Sequence, residues 1–254
     1  MLELRNVYKR FSGIPAVAGA SFSARPGEVT GYLGPNGSGK STTMKMIAGL
    51  MDPSAGEILF EGKPIQQDLI AYKQRMGYVP EEPHLYTHLS GIEYLSMVAQ
   101  LRDLPAKPAA VKIDGLLQLF NLHGDRDVSI SSYSKGMRQK ILLAAALLHN
   151  PDLLLLDEPF SGLDIGSALV LRSLIQELAG RGKVVLFSSH ELETVERICS
   201  HVVILHRGKI VADDSIEHLR TIMSLPTLEE IFSQLAVEQD TVAISRQIAD
   251  LIHA

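Results

Sequence analysis

The chain has 254 residues, 46% of them hydrophobic and 21% charged, with a formal net charge of −5 and one cysteine. That is the make-up of a globular chain long enough for a substantial core, in one large domain or two lobes. The acidic balance argues against a broad nucleic-acid face, and the lone Cys199 excludes an internal disulfide or a cysteine metal site, which suits a reducing cytosol. Met1-Leu2-Glu3-Leu4-Arg5 reads as the start of a strand rather than a leader, and the longest apolar run, residues 141–148, is too short to span a bilayer.

Residues 2–8 and 17–24 alternate apolar and polar side chains and read as a strand pair. Phe11 falls in the turn between them and reads, on its own, as a hydrophobic plug. Residues 28–33 form a strand that enters Gly34-Pro35-Asn36-Gly37-Ser38-Gly39-Lys40-Ser41-Thr42, and residues 42–50 form a helix that leaves it. This stretch fits the phosphate-binding loop, in which Gly, four residues, Gly, Lys and Ser or Thr follow in order. Its glycines bring bare backbone close to a ligand, so that successive N–H groups hold phosphate oxygens. Lys40 would reach the β- and γ-phosphates and Ser41 would offer its hydroxyl to Mg²⁺. The N-terminus of the helix adds its own preference for an anion.

Short strands follow at residues 56–63 and 76–80. Residues 85–150 differ in kind. Ser90-Gly91-Ile92-Glu93 fits a capping box ahead of a helix over 94–101. Pro105 and Pro108 break the chain, and residues 111–120 place Leu116, Leu117 and Phe120 on one helix side. Residues 140–148 form a helix apolar on several faces, hence buried. Ser132-Tyr133-Ser134-Lys135-Gly136-Met137-Arg138-Gln139 leads into it, either as a plain N-cap or as an anion site at a helix start. This segment reads as a helical lobe inserted between strands of the core.

Residues 153–157 and 184–189 are apolar runs of the kind buried on both faces of a parallel sheet, with helices at 165–178 and 191–199. Residues 202–205 and 209–212 flank Arg207-Gly208, a hairpin signal. Alternation of this kind gives an α/β sheet. Residues 215–254 are amphipathic, mostly helical in pattern and without evident chemistry. Asp157 and Glu158 end one buried strand and His190 follows the next. All three leave the sheet at the edge where the phosphate loop lies and where open α/β sheets bind ligands. Asp157 is placed to hold Mg²⁺, Glu158 to polarise a water aimed at the γ-phosphate, and His190 to contact that phosphate.

With those motifs in order, the chain resembles the ATP-binding subunits of ABC transporters from Leu2 to about Asp214. The loop matches Walker A and residues 153–158 match Walker B with its catalytic glutamate. Ser161-Gly162-Leu163-Asp164 looks like the D-loop and His190 like the switch histidine. Phe11 falls where the family has its adenine-stacking aromatic, and Tyr133-Ser134-Lys135-Gly136-Met137 where it has Leu-Ser-Gly-Gly-Gln. Gly77-Tyr78-Val79-Pro80-Glu81-Glu82-Pro83 looks like the subgroup serving ABC-2-type membrane proteins. Two departures stand out: Lys135 and Met137 in the signature, and Glu81 where most members carry the Q-loop glutamine.

The resemblance implies an α/β P-loop NTPase core with an antiparallel β subdomain, residues 1–84 and 154–214, a helical signature subdomain, residues 85–153, and a helical tail, residues 215–254. It implies an ATPase using ATP and Mg²⁺, with Glu158, His190 and Lys40 as catalytic groups. Phe11, residues 34–42, Ser134, Gly136 and Asp164 would bind nucleotide, and Ser41, Asp157 and Glu81 would hold the metal. Two chains, as a homodimer or a heterodimer with a similar subunit, would close head to tail around two ATP and drive a separate transmembrane permease, an ABC-2-type exporter. The surface after Glu81, around residues 83–88, would meet that permease. The chain would lie in the cytoplasm on the inner face of the membrane and bind no nucleic acid. The alternative is a mechanical or regulatory ATPase on nucleic acid or ribosomes; single-cassette length and the lack of coiled-coil heptads between the Walker motifs disfavour it.

Overall fold

The computed structural model describes residues 1–236. Within them β1 (Leu2–Phe11) and β2 (Ile14–Ala24) form a hairpin, then β3 (Val29–Leu33) enters the glycine-rich loop and α1 (Lys40–Ile47) leaves it. Next come β4 (Ala55–Phe60), β5 (Lys63–Pro64), α2 (Leu69–Gln74) and β6 (Met76–Val79), followed by three helices, α3 (Gly91–Leu101), α4 (Ala106–Leu119) and α5 (Lys135–Leu147). The chain then alternates through β7 (Leu153–Asp157), α6 (Ile165–Gly180), β8 (Val184–Ser188), α7 (Leu192–Ile198), β9 (His201–His206) and β10 (Lys209–Ser215), and the described part ends with α8 (Ile216–Met223) and α9 (Leu228–Ala236). The remainder of the expected C-terminal helical tail, residues 237–254, lies outside the described residues.

β1, β2, β4 and β5 make an antiparallel sheet in the order β2-β1-β4-β5. The other six strands make a mixed sheet in the order β10-β9-β3-β8-β7-β6, parallel except for the β10 edge. β3, β7 and β8 are buried at every position, as strands covered on both faces must be. Their side chains divide with period two. Leu153, Leu155, Val184 and Leu186 join Leu2, Leu4, Met44 and Ile47 beneath the antiparallel sheet and α1. Leu154, Leu156, Val185 and Phe187 join Leu142, Leu171, Ile175 and Ile231 on the helical side. Each such leucine or valine contributes about 1.5–3 kcal/mol of burial. Because β3, β8 and β7 are parallel neighbours, the loop after Leu33, the segment after Ser188 and the Asp157–Glu158 pair emerge side by side at one edge.

The helical segment has a core of its own, with Leu95, Ile113, Leu117, Ile130, Ile141 and Leu148. Its first helix starts at the expected capping box: the Glu93 N–H donates to Ser90 Oγ at 3.3 Å and the Ser90 N–H to Glu93 Oε2 at 2.8 Å. Several boundaries move. Pro105 caps α4, but Pro108 lies inside its first turn rather than breaking the chain, because first-turn N–H groups have no intrahelical acceptor to lose. α5 begins at Lys135, not at Lys140, since Ser134 Oγ takes the cap position and accepts from the Met137 N–H at 3.2 Å. α1 likewise begins at Lys40, not at Thr42. α2, capped by Asp68, was not foreseen.

Phe11 also departs from expectation. It ends β1 opposite Ile14 across a two-residue turn, Ser12-Gly13, in which both φ angles are positive, at 48° and 86°. That tight reversal leaves no loop to fill, and the ring is 47% exposed, with Lys9 Nζ 5.5 Å from its centroid. It is not a plug.

Candidate active site

The loop between β3 and α1 is shaped by what presses on it. A Cβ on Gly34 would fall 2.3 Å from the Leu205 carbonyl oxygen, and one on Gly39, at φ 106°, would fall 2.4 Å from that of Ala16. Neither position tolerates a side chain, and Gly39 also needs a φ that other residues avoid. The loop is stitched to its surroundings: the Gly208 N–H donates to the Ser38 carbonyl at 2.9 Å and the Ala18 N–H to the Gly208 carbonyl at 2.7 Å. Thr43 Oγ1 donates to the Gly39 carbonyl at 3.0 Å and receives the buried Tyr32 hydroxyl at 3.1 Å, anchoring the first turn of α1. Ser38 Oγ is buried and has no hydrogen-bond partner.

Lys40 lies back across its own loop, donating from Nζ to the Gly34 carbonyl at 2.5 Å and the Pro35 carbonyl at 3.3 Å. Burial pushes its ammonium below the usual lysine range, while Glu158, Asp157 and Glu81 pull the other way. These groups face one cavity of about 200 Å³, lined by Ala16, Asn36, Gly37, Gly39, Lys40, Ser41, Thr42, Glu81, Asp157 and Glu158. A second cavity of about 520 Å³ shares Ser41, Glu81 and Asp157 with it and adds Lys45, Tyr78 and His84. Strand register explains the carboxylates. Asp157 is opposite Ser188 in the β7–β8 pairing, and Ser188 Oγ donates to Asp157 Oδ1. Burial raises the Asp157 carboxyl, against that hydrogen bond.

Glu158 turns out of the strand at φ 49°, its N–H donating to the Ser188 carbonyl at 3.1 Å. Its Oε2 lies 2.8 Å from His190 Nδ1 and 3.5 Å from Ser189 Oγ. Burial raises the Glu158 carboxyl, with the His190 bond opposing. The glutamate is nearly enclosed, with 12% of its side chain exposed, whereas His190 is 72% exposed and touches the cavity only through it. Three carboxylates therefore surround a space that holds one ammonium. That excess of negative charge suits a divalent cation, for which Ser41, Asp157 and Glu81 would be the nearest oxygen groups.

The other expected residues lie apart. Phe11 does not line the cavity, and Gly34, Pro35 and Ser38 stay in the loop without lining it. Ser134 and Gly136 are at the start of α5 in the helical lobe. Asp164 caps α6, accepting the Ser167 N–H at 2.8 Å and the Ser167 hydroxyl at 2.6 Å, which with Lys140 lowers its carboxyl to about 2. Sequence reasoning missed Ser188, Ala16 and Lys45. Ser188 had a usable signal, a serine at the end of a buried strand; Ala16 and Lys45 had none.

The ABC transporter family matches residues 17–161. The chain belongs to that family. Relatives include the ABC transporter ATP-binding protein NatA of Bacillus subtilis, 36% identical over 86% of this chain and 91% of the relative. An uncharacterized ABC transporter ATP-binding protein of Nostoc is 39% identical over 85% of this chain, which spans 66% of that relative's length. The Nod factor export ATP-binding protein I of Burkholderia orbicola is 35% identical over 84% of this chain and 70% of its own. Among solved structures, one described as the ATP-binding subunit of an ABC transporter superposes with a TM-score of 0.88 at 32% identity, covering 92% of this chain and 99% of the other. A nucleotide-free cassette superposes with a TM-score of 0.77 at 25% identity, covering 91% and 98%. The fold is thus that of ABC ATP-binding subunits. Among the described residues no helix is long and apolar enough to cross a membrane.

Proposed function

We propose that this chain hydrolyses Mg·ATP as one half of a head-to-tail dimer and thereby drives a separate membrane-spanning partner, an exporter of the ABC-2 type. The observation that carries the reading is that the site is one-sided. Lys40, Ser41, Asp157, Glu81 and Glu158 line the cavity, while Ser134 and Gly136 sit in the other lobe, at the start of α5. A second copy is needed to bring a signature to each nucleotide. The division into a core, residues 1–84 and 154–214, a signature lobe, residues 85–153, and a C-terminal part, residues 215–254, belongs to the same proposal. So does attachment at the inner membrane face through residues 83–88, and the Nod factor export names among the relatives support export as the direction.

In this reading Lys40 leaves the Gly34 carbonyl for the phosphates, and the backbone of residues 34–42 holds their oxygens. Mg²⁺, held by Ser41 and Asp157 with Glu81 near, would screen the phosphate charge. Glu158 accepts a proton from the attacking water, and His190 fixes its carboxylate through the bond to Nδ1. The exposed Phe11 ring is free to stack on adenine, and Asp164 stands at the junction between subunits.

Mixing two crippled chains tests the pairing. Ser134→Arg alone and Lys40→Ala alone should each lose ATPase activity. Their mixture should recover part of it, because each heterodimer contains one site with an intact loop and an intact signature. A Ser134→Arg chain that hydrolyses ATP at the wild-type rate by itself would overturn the reading.

A further inference from the structure

The first turns of α5 are fastened to the loop that follows Glu158. Lys135 Nζ donates to Ser161 Oγ at 2.7 Å, Gln139 Nε2 to the Pro159 carbonyl at 3.1 Å, and Lys140 Nζ lies 3.5 Å from Asp164 Oδ2. Lys135 and Gln139 stand one helical turn apart on the same face. Packing is equally close. A Cβ on Gly162 would fall 2.8 Å from Lys135 Cγ, so the lysine stem lies directly over that glycine. The far end of the loop leads to the reaction centre: the Ser161 N–H donates to the Glu158 carbonyl at 3.2 Å, and Glu158 in turn holds His190.

The three ties differ in kind. Gln139 is buried, so breaking its bond to Pro159 would leave a buried amide unpaired. Asp164 is already committed to Ser167 and caps α6. Lys135 is exposed, and an exposed pair of this sort adds little to stability. It is therefore the tie that breaks and re-forms without cost to the fold. It also stands at one of the two signature positions where this chain departs from the pattern it resembles.

We propose that Lys135 is a positioning residue for ATP hydrolysis. Its ammonium links the start of α5 to Ser161, so that displacement of the helical lobe is carried into the loop and sets where Glu158 points. The effect on turnover rests on the ATPase reading above; the tie itself does not.

The test uses the full chain with Lys135→Met, which keeps the stem over Gly162 and removes the donor, with Ser161→Ala, with both together, and with Lys135→Arg. Steady-state ATPase gives kcat and KM, and hydrogen exchange of the nucleotide-free protein follows the amides of residues 160–164. Lys135→Met and Ser161→Ala should each lower kcat about 3- to 10-fold with KM within about twofold, and the double variant should fall no further than either single. Lys135→Arg should restore more than half of kcat, and exchange over 160–164 should rise in the first three variants only. A raised KM at unchanged kcat, additive losses in the double variant, or unchanged exchange would each overturn the proposal. A wild-type chain without ATPase activity would remove the ATPase reading alone, because the exchange measurement still decides the tie.

Discussion

Gly136→Ala adds one methyl where a carbonyl already stands. The new Cβ would lie 2.4 Å from the Gly162 carbonyl oxygen and 3.4 Å from its carbon. Ordinary carbon–oxygen contacts begin near about 3.3 Å, so α5 and the loop must separate by roughly 1 Å. Both sides are backbone, and Gly162 is held at φ 79°. Overpacking of this kind costs about 1–3 kcal/mol, and the helix preference of alanine offsets up to about 1 kcal/mol of it. Stability should fall by about 1–2 kcal/mol, which lowers the melting temperature of a chain this size by about 2–8 °C. Turnover should fall more, because the displaced loop begins beside Glu158, and a misplacement of about 1 Å can cost on the order of 100-fold in rate. Gly115→Ala in α4 is the control. Nothing lies within 4 Å of its added Cβ, so the same substitution there should stabilise, by about 0.5–1 kcal/mol, and leave turnover unchanged. Denaturant unfolding and ATPase on the same preparations decide it. A Gly136→Ala chain as stable and as fast as wild type would refute the reasoning.

Glu81→Gln removes one of the three carboxylates at the cavity. At about 5 Å and an effective dielectric of about 20, its attraction to a cation and its repulsion of a phosphate are each roughly 3 kcal/mol per unit charge and oppose each other. The Mg²⁺ concentration for half-maximal ATPase should therefore rise while maximal rate falls less than about tenfold, and superimposable Mg²⁺ titrations would return Glu81 to an ordinary loop role. His149 predicts a pH dependence of stability. Burial, with Arg102 adding to it, lowers the imidazole from 6.5 to about 4, and its Nε2 lies 3.0 Å from the Met76 carbonyl. The folded protein keeps the ring neutral while the unfolded chain protonates first, so this stability is whole above the unfolded value and is lost as pH falls toward the folded one. After allowance for solvent screening the loss at about pH 5 is about 1 kcal/mol, read as a change in unfolding free energy that His149→Leu should abolish.

The loop at residues 34–42, the acids at the end of β7 and the histidine after β8 were legible because uninterrupted apolar runs mark buried parallel strands, and such strands deliver their ends to one edge. Position along the strand was less legible than its existence. Ser188 meets Asp157 only because β7 and β8 pair in that register, and nothing local to either residue specifies it. Helix starts shifted toward the N-terminus because Gly39 and Ser134 cap helices whose first turns are polar, so apolar periodicity begins late. Read on its own as a plug, Phe11 came out exposed because a two-residue turn leaves no loop for it to fill. The Lys135–Ser161 contact joins residues 26 apart across two lobes, and no pattern in either stretch announces it.

The central claim is that two chains close on ATP and that Glu158 then drives hydrolysis. Light scattering of the Glu158→Gln chain, with and without saturating Mg·ATP, tests it most directly. The account predicts a monomer without nucleotide and a stable dimer with it, alongside hydrolysis slowed by about 10²–10⁴-fold through loss of the general base. A chain that stays monomeric at saturating Mg·ATP, or that hydrolyses at the wild-type rate, would contradict it.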